Sequence, residues 1–210
     1  MTRRQRLEAA RLYVVTGSRD DLPEFLDATL GAGADIVQLR EKEAEAGDIM
    51  RWGEVFKEAA TRHGTLFIVN DRPDLALALE ADGVHLGQND LPPAVARQIV
   101  GPDALIGLST HSPEQWAQAA PEADYLCAGP VWETPTKPGR PAAGLDLVRH
   151  AAESSGRWPW FAIGGINQAN LHEVVEAGAR RIVVARAVTE AADPGVAART
   201  LARHLRRGGK

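Results

Sequence analysis

Cysteine is almost absent. A single one, Cys127, stands in a chain of 210 residues, which excludes an internal disulfide and any metal site built from several cysteines. It lies inside an apolar run, where a small core residue is the ordinary reading and a nucleophile the unusual one. No apolar run approaches the length of a membrane span. The basic start (Arg3, Arg4, Arg6) lacks the apolar segment that would follow it in a secretory signal. Charge of one sign is also missing: 24 Lys and Arg against 28 Asp and Glu leave a net charge of -4. Bulk charge therefore does not attract nucleic acid, and there is no DNA-binding motif or basic stripe. His63, His150, His172 and His204 show no metal-ligand spacing, and no G-x-S-x-G elbow marks a serine hydrolase. These absences predict a cytoplasmic, soluble protein without nucleic-acid or membrane partners. They leave room for a homo-oligomer.

Proline and glycine, by contrast, crowd one stretch. Gly129 to Gly144, GPVWETPTKPGRPAAG, holds Pro130, Pro135, Pro138 and Pro141. It can be neither a helix interior nor a central strand, because proline removes a backbone donor that both need. It follows an apolar run and carries Thr134, Thr136, Lys137 and Arg140, hydroxyls and cations suited to a phosphorylated ligand. A loop of this length inside a domain suggests a lid over a binding site, with Gly129, Gly139 and Gly144 as hinges.

Elsewhere, β-branched apolar runs alternate with amphipathic segments. Strands are expected near Leu12 to Thr16, Ile36 to Arg40, Leu66 to Asn70, Val84 to Gly87, Leu105 to Ser109, Tyr125 to Gly129, Trp160 to Gly164 and Ile182 to Ala185. Leu22 to Leu30, Ile49 to Arg62 and Leu171 to Ala177 read as helices, the last closed by Gly178. Alternation without hairpin turns argues for a parallel sheet. Eight strands in this length fit a single-domain α/β fold, a closed (β/α)8 TIM barrel; a doubly wound open sheet is the alternative. No domain boundary or internal repeat stands out over residues 1–210. Residues 1–10 read as an extra N-terminal helix, and residues 203–210 as a frayed basic tail.

Polar residues collect where the expected strands end. A period of two places Gln38, Arg40 and Lys42 on one face, either as a ligand site or as a structural ion pair with Glu41 or Glu43. Asn70-Asp71 ends the third strand, and Gly87-Gln88-Asn89-Asp90 follows the fourth. The two aspartates are hard oxygen donors suited to Mg²⁺ that shares its other positions with water and phosphate. Ser109 and His111 end the fifth strand, with serine as a phosphate donor the modest reading. His85, inside a strand, reads as a satisfied core histidine. Ile163-Gly164-Gly165-Ile166 ends the seventh strand and Ala185-Arg186 the eighth. Glycines there let backbone N–H groups approach an anion, at the rim where this barrel commonly binds phosphate.

Taken in order, QLREK (38–42), ND (70–71), GQND (87–90), LST (108–110), GPVWETPTK (129–137) and IGGI (163–166) make the chain resemble the thiamine-phosphate synthase family over about Leu12 to Pro194. The resemblance implies a Mg²⁺-dependent transferase on a (β/α)8 barrel. Its substrates would be 4-amino-2-methyl-5-hydroxymethylpyrimidine diphosphate and 4-methyl-5-(2-phosphoethyl)thiazole, with pyrophosphate released. It further implies that Gln38, Leu39, Arg40, Glu41, Lys42 and Asn70 contact the pyrimidine diphosphate, that Ser109 and Lys137 bind its diphosphate, and that Asp71 and Asp90 hold the metal. Arg40, Lys42, Ser109 and Lys137 would assist departure of the leaving group. Thr134, Pro135, Thr136, Gly165, Ala185 and Arg186 would bind the thiazole phosphate. Arg186 departs from the small hydroxylated residue found in many relatives. A thiazole tautomerase on the same barrel, using His111 as acid–base, and a non-catalytic sensor of thiamine intermediates are the competing readings.

Overall fold

The computed structural model describes residues 1–134, 141–154, 156 and 158–207. The strands are β1 (Leu12–Thr16), β2 (Ile36–Leu39), β3 (Leu66–Asn70), β4 (Gly83–Leu86), β5 (Leu105–Thr110), β6 (Tyr125–Ala128), β7 (Trp160–Ile163) and β8 (Ile182–Val184). Each pairs in parallel with the next, and β8 returns to β1 through Tyr13 opposite Val183. That last pairing closes the barrel and excludes the doubly wound sheet, whose outer strands would stay unpaired.

Helices fill every crossover. They are α1 (Arg3–Ala9), α2 (Leu22–Gly31), α3 (Ala46–His63), α4 (Pro73–Ala78) and α5 (Pro93–Val100). Then follow α6 (Pro113–Ala117), α7 (Gly144–Ser154), α8 (Leu171–Glu176), α9 (Arg186–Thr189) and α10 (Pro194–Arg207). Residues 203–207, expected to fray, instead belong to α10. The physical reason is Leu205, buried in the sheet–helix core and holding the last turn down.

The strand period of two divides the apolar residues into two cores. One face of each strand packs under the helices, where Val14, Val37, Val69 and Ile106 meet Leu26, Phe56, Leu79 and Leu201. The other fills the barrel with Tyr13, Ile36, Ile68, Leu105, Tyr125 and Phe161. Burial on both faces explains why the strands read as continuous apolar runs.

Helix α1 plugs the N-terminal end of the barrel, with Leu7 in the inner core. Its arginines clamp aspartates that immediately precede even-numbered strands: Arg3 Nε lies 2.9 Å from Asp82 and Arg4 Nε 2.8 Å from Asp124. Each of those aspartates also accepts a backbone N–H from the preceding odd strand, Asp82 from Phe67 and Asp124 from Ile106, both at 2.9 Å. Asp35 does the same for Leu12 at 2.9 Å. A short repeat is therefore present after all: Ala34-Asp35, Ala81-Asp82 and Ala123-Asp124 each open an even strand. It escapes the eye because only two residues recur. The basic N-terminus is thus a structural clamp at the end opposite the strands' C-termini.

Candidate active site

The C-terminal ends of the strands surround a cavity of about 330 Å³. Among the residues expected to bind the diphosphate substrate, Gln38, Arg40, Asn70 and Ser109 line it. Across the mouth, Thr134, Gly165, Ala185 and Arg186 line the same space. Inward-facing alternate positions produce this: Gln38 of β2, Asn70 of β3 and Ser109 of β5 each follow inner-core residues at the strand period. Pro135, Thr136 and Lys137 lie outside the described residues.

Among the described residues, five expected site residues are not part of the cavity lining. Leu39 points the other way, into the sheet–helix core, because its neighbour Gln38 faces in. Glu41 turns toward the β1–α2 loop, where its carboxylate accepts from Ser18 N at 2.6 Å and Ser18 Oγ at 2.9 Å. It braces the rim. Lys42, Asp71 and Asp90 form a separate cluster at the edge of the mouth.

In that cluster Lys42 Nζ lies 2.9 Å from Asp71 Oδ2. Burial raises the Asp71 pKa; the Lys42 contact pulls it down, and contact with the Asp90 carboxylate pushes it up again. Asp90 is oriented by Gly87 N, which donates to Oδ2 at 2.6 Å. Asp71 adopts a left-handed conformation, φ 60, uncommon outside glycine and a mild strain for aspartate. Its N–H donates to His85 O at 2.8 Å, which holds the strained residue in place. Among the described residues, no three His, Cys, Asp or Glu side chains gather as a ready-made metal cage.

The opening of the Gly129–Gly144 stretch is anchored. Val131 N donates to Ile163 O at 2.9 Å, Trp132 N to Gly164 O at 3.1 Å, and Ala143 N to Pro130 O at 2.7 Å. Gly129, expected as a hinge, is fixed by its own N–H on Thr110 O at 3.1 Å and by His111 Nδ1, which donates to its carbonyl. Residues 135–140, with Gly139, lie outside the described residues. The same anchoring revises the reason for Gly164-Gly165. Both have positive φ, 106 and 71, and a Cβ would come within 2.4 Å of Pro130 Cα and 2.8 Å of Trp132 Cβ respectively. The chain's own β6–α7 segment demands glycine here, whatever anion binds.

Four residues that matter to the site, Tyr13, His85, Cys127 and Tyr125, do not announce themselves in the sequence. Tyr13, His85 and Cys127 line the cavity floor. Tyr125 OH lies 3.2 Å from His85 Nδ1, and His85 Nε2 lies 2.9 Å from Ser109 Oγ. Burial pushes both tyrosine phenols upward in pKa, so they stay neutral. The available signal was register: His85, Gly107 and Tyr125 sit side by side on β4, β5 and β6. A glycine between two large polar rings leaves them room to meet.

Comparison with known proteins agrees with this architecture. A family model described as thiamine monophosphate synthase matches residues 12–188. The chain is 60% identical to the thiamine-phosphate synthase of Acidothermus cellulolyticus, covering 95% of this chain and 96% of that one. It is 57% identical to that of Thermobifida fusca, covering 97% and 96%. Among solved structures, a thiamine phosphate pyrophosphorylase from Pyrococcus furiosus superposes with a TM-score of 0.87 at 35% identity, covering 99% of both chains. A 3-hexulose-6-phosphate synthase, at 20% identity and a TM-score of 0.64 over 92% of this chain and 98% of that one, shares the fold alone. The Acidothermus and Thermobifida relatives both carry the name thiamine-phosphate synthase. The chain belongs to the thiamine monophosphate synthase family.

Proposed function

We propose that this enzyme, a thiamine-phosphate-forming transferase by family, joins 4-amino-2-methyl-5-hydroxymethylpyrimidine diphosphate to 4-methyl-5-(2-phosphoethyl)thiazole and releases pyrophosphate. The observation that carries the reading is the arrangement around one mouth. Arg40, Asn70 and Ser109 face the cavity from one side, and Gly165, Ala185 and Arg186 from the other. Two anionic substrates could meet there with their reacting ends together.

Gln38 and Asn70 would orient the pyrimidine. Arg40, Lys42, Ser109 and Lys137 would donate to its diphosphate and neutralise charge as the carbon–oxygen bond breaks. The pyrimidine amino group would stabilise the methylene cation, and the thiazole nitrogen would capture it. Thr134, Pro135, Thr136, Gly165, Ala185 and Arg186 would hold the thiazole phosphate. No protein nucleophile is needed, so the work of the chain is positioning, charge neutralisation and exclusion of water.

Asp71 and Asp90 fit Mg²⁺ by their chemistry. Burial, with the Asp90 carboxylate beside it, raises the Asp71 proton affinity against the pull of Lys42; a cation would offset both causes, and the pair leaves coordination positions for water and phosphate. When bound, the ion would supply Lewis-acid stabilisation of the leaving pyrophosphate.

The decisive experiment supplies both substrates and Mg²⁺ and follows pyrophosphate. Release that depends on the thiazole phosphate is the expected result. Release at the same rate without it, or none at all, would overturn the reading.

A further inference from the structure

Five polar side chains from five different strands form one hydrogen-bonded line through the apolar barrel interior. Gln38 Nε2 of β2 donates to Tyr13 OH of β1. Tyr13 OH lies 3.1 Å from Tyr125 OH of β6, Tyr125 OH 3.2 Å from His85 Nδ1 of β4, and His85 Nε2 2.9 Å from Ser109 Oγ of β5. All five are buried, the most accessible at 6%. Gly107 makes the line possible: a Cβ there would come within 2.1 Å of Tyr125 Cζ and 2.4 Å of His85 Nδ1.

Hydrogen bookkeeping gives the line a direction. An amide nitrogen can only donate, so Tyr13 accepts from Gln38. If Tyr13 then donates to Tyr125, Tyr125 donates to His85 Nδ1, and every hydrogen has an acceptor. If instead Tyr125 donated to Tyr13, the Tyr13 hydrogen would need the Gln38 amide turned over so that Oε1 faced it, whereas in the structure it is Nε2 that does. In the satisfied arrangement Nδ1 of His85 is an acceptor. The ring hydrogen therefore sits on Nε2 and points at Ser109 Oγ, which must accept it.

We propose that this line makes His85 a positioning residue. It holds His85 in the Nε2–H tautomer, fixes Ser109 Oγ as an acceptor on its buried side, and so commits the Ser109 hydrogen to an anion in the cavity. Ser109 is then a preset phosphate donor and not a nucleophile. The opposite direction would have Ser109 donate to His85 Nε2, as in an activated serine. No net proton moves in the proposed state, because each group keeps its own hydrogen. Hydrogen bonds from preoriented donors to a developing anion are worth more than those that must reorganise. That the anion is the diphosphate rests on the proposed function; the tautomer does not.

The test is nitrogen NMR of the full-length, ligand-free protein labelled at histidine, at pH 8. The expected result is an unprotonated Nδ1 and protonated Nε2 for His85; the Nδ1–H tautomer would overturn the proposal. Tyr125→Phe removes the group that fixes Nδ1 as an acceptor, so the preference for Nε2–H should weaken and a fraction of the other tautomer should become detectable. In kinetics, Tyr125→Phe and His85→Leu should lower kcat roughly tenfold, on the scale of one hydrogen bond to a charged group. His85→Gln, which can still accept and donate, should recover part of that loss. Equal kcat in His85→Gln and His85→Leu, in proteins with wild-type circular dichroism, would also overturn it. If the variants fail to fold, the wild-type tautomer alone decides. Nε2–H in a protein that releases no pyrophosphate would refute the proposed function while leaving the line intact.

Discussion

Lys42 Nζ and Asp71 Oδ2 stand 2.9 Å apart at the edge of the mouth, although β2 and β3, which lead to them, end at Leu39 and Asn70. The pair brings a cation and a carboxylate together beside Asp90, where both a diphosphate and its metal would arrive. Asp71→Asn and Asp90→Asn should each lower kcat on the order of 10²-fold at limiting Mg²⁺, through lost leaving-group stabilisation. Steady-state pyrophosphate release across a Mg²⁺ series checks this. Near-normal turnover in both variants would remove the metal assignment.

The raised Asp71 pKa predicts a stability effect of definite sign. Its folded value exceeds the unfolded one, so the folded state binds the proton more tightly and stability falls as pH rises through that window. The penalty is fully present above the folded value and gone below the ordinary carboxylate range, near about 4. Metal-free Asp71→Asn should therefore melt higher than the parent at pH 8, and the gap should close on acidification toward that range. Calorimetry of both proteins without Mg²⁺ measures it; an equal gap at all pH values would contradict burial and the Asp90 carboxylate as its cause.

Asp124 binds Arg4, Arg97 and Ile106 N at once, with its side chain only 10% exposed. Asp124→Ala should cost about 3 kcal/mol, the scale of breaking a buried, hydrogen-bonded ion pair. Because this clamp lies at the barrel end opposite the cavity, kcat should be unchanged at temperatures where the variant is folded. Urea unfolding alongside turnover separates the two effects.

Glu41 offers a contrast. Its carboxylate holds Ser18 and stays out of the cavity lining. Glu41→Gln keeps an acceptor for Ser18 N, so turnover should stay within about twofold of the parent, while Glu41→Ala should loosen the β1–α2 loop. Hydrogen exchange at Ser18 and neighbouring amides reads that loosening. A large kcat loss in Glu41→Gln with unchanged exchange would restore Glu41 to direct substrate contact.

Gly107→Ala should be more damaging than its size suggests. The methyl would overlap Tyr125 and His85, and overpacking of a filled core costs about 1–3 kcal/mol. The rings can move apart only by breaking their hydrogen bond, so kcat should fall together with stability. Thermal melts with single-turnover kinetics test the coupling.

The barrel and most of its rim were legible in the order of residues. Continuous apolar runs broken by amphipathic segments demand strands buried on both faces, and the period of two put Gln38 and Arg40 on the inner side. The ends of β3 and β5, at Asn70 and around Ser109, were readable because polar residues there interrupt a buried pattern. Contacts between strands distant in sequence were not. Closure by β8 on β1 separated the barrel from an open sheet, since periodicity within a strand carries no information about its neighbours. Glu41 sits between two expected ligands, yet its target, Ser18, lies 23 residues away. The glycines at 164 and 165 read only as room for an anion, and the contacts that also demand glycine there, with Pro130 and Trp132, come from a distant segment. His85 read as a core histidine, and it is buried; that it joins Tyr125 to Ser109 depends on register across β4, β5 and β6. Local sequence decides which face a side chain takes, and only the closed sheet decides which side chain it meets there.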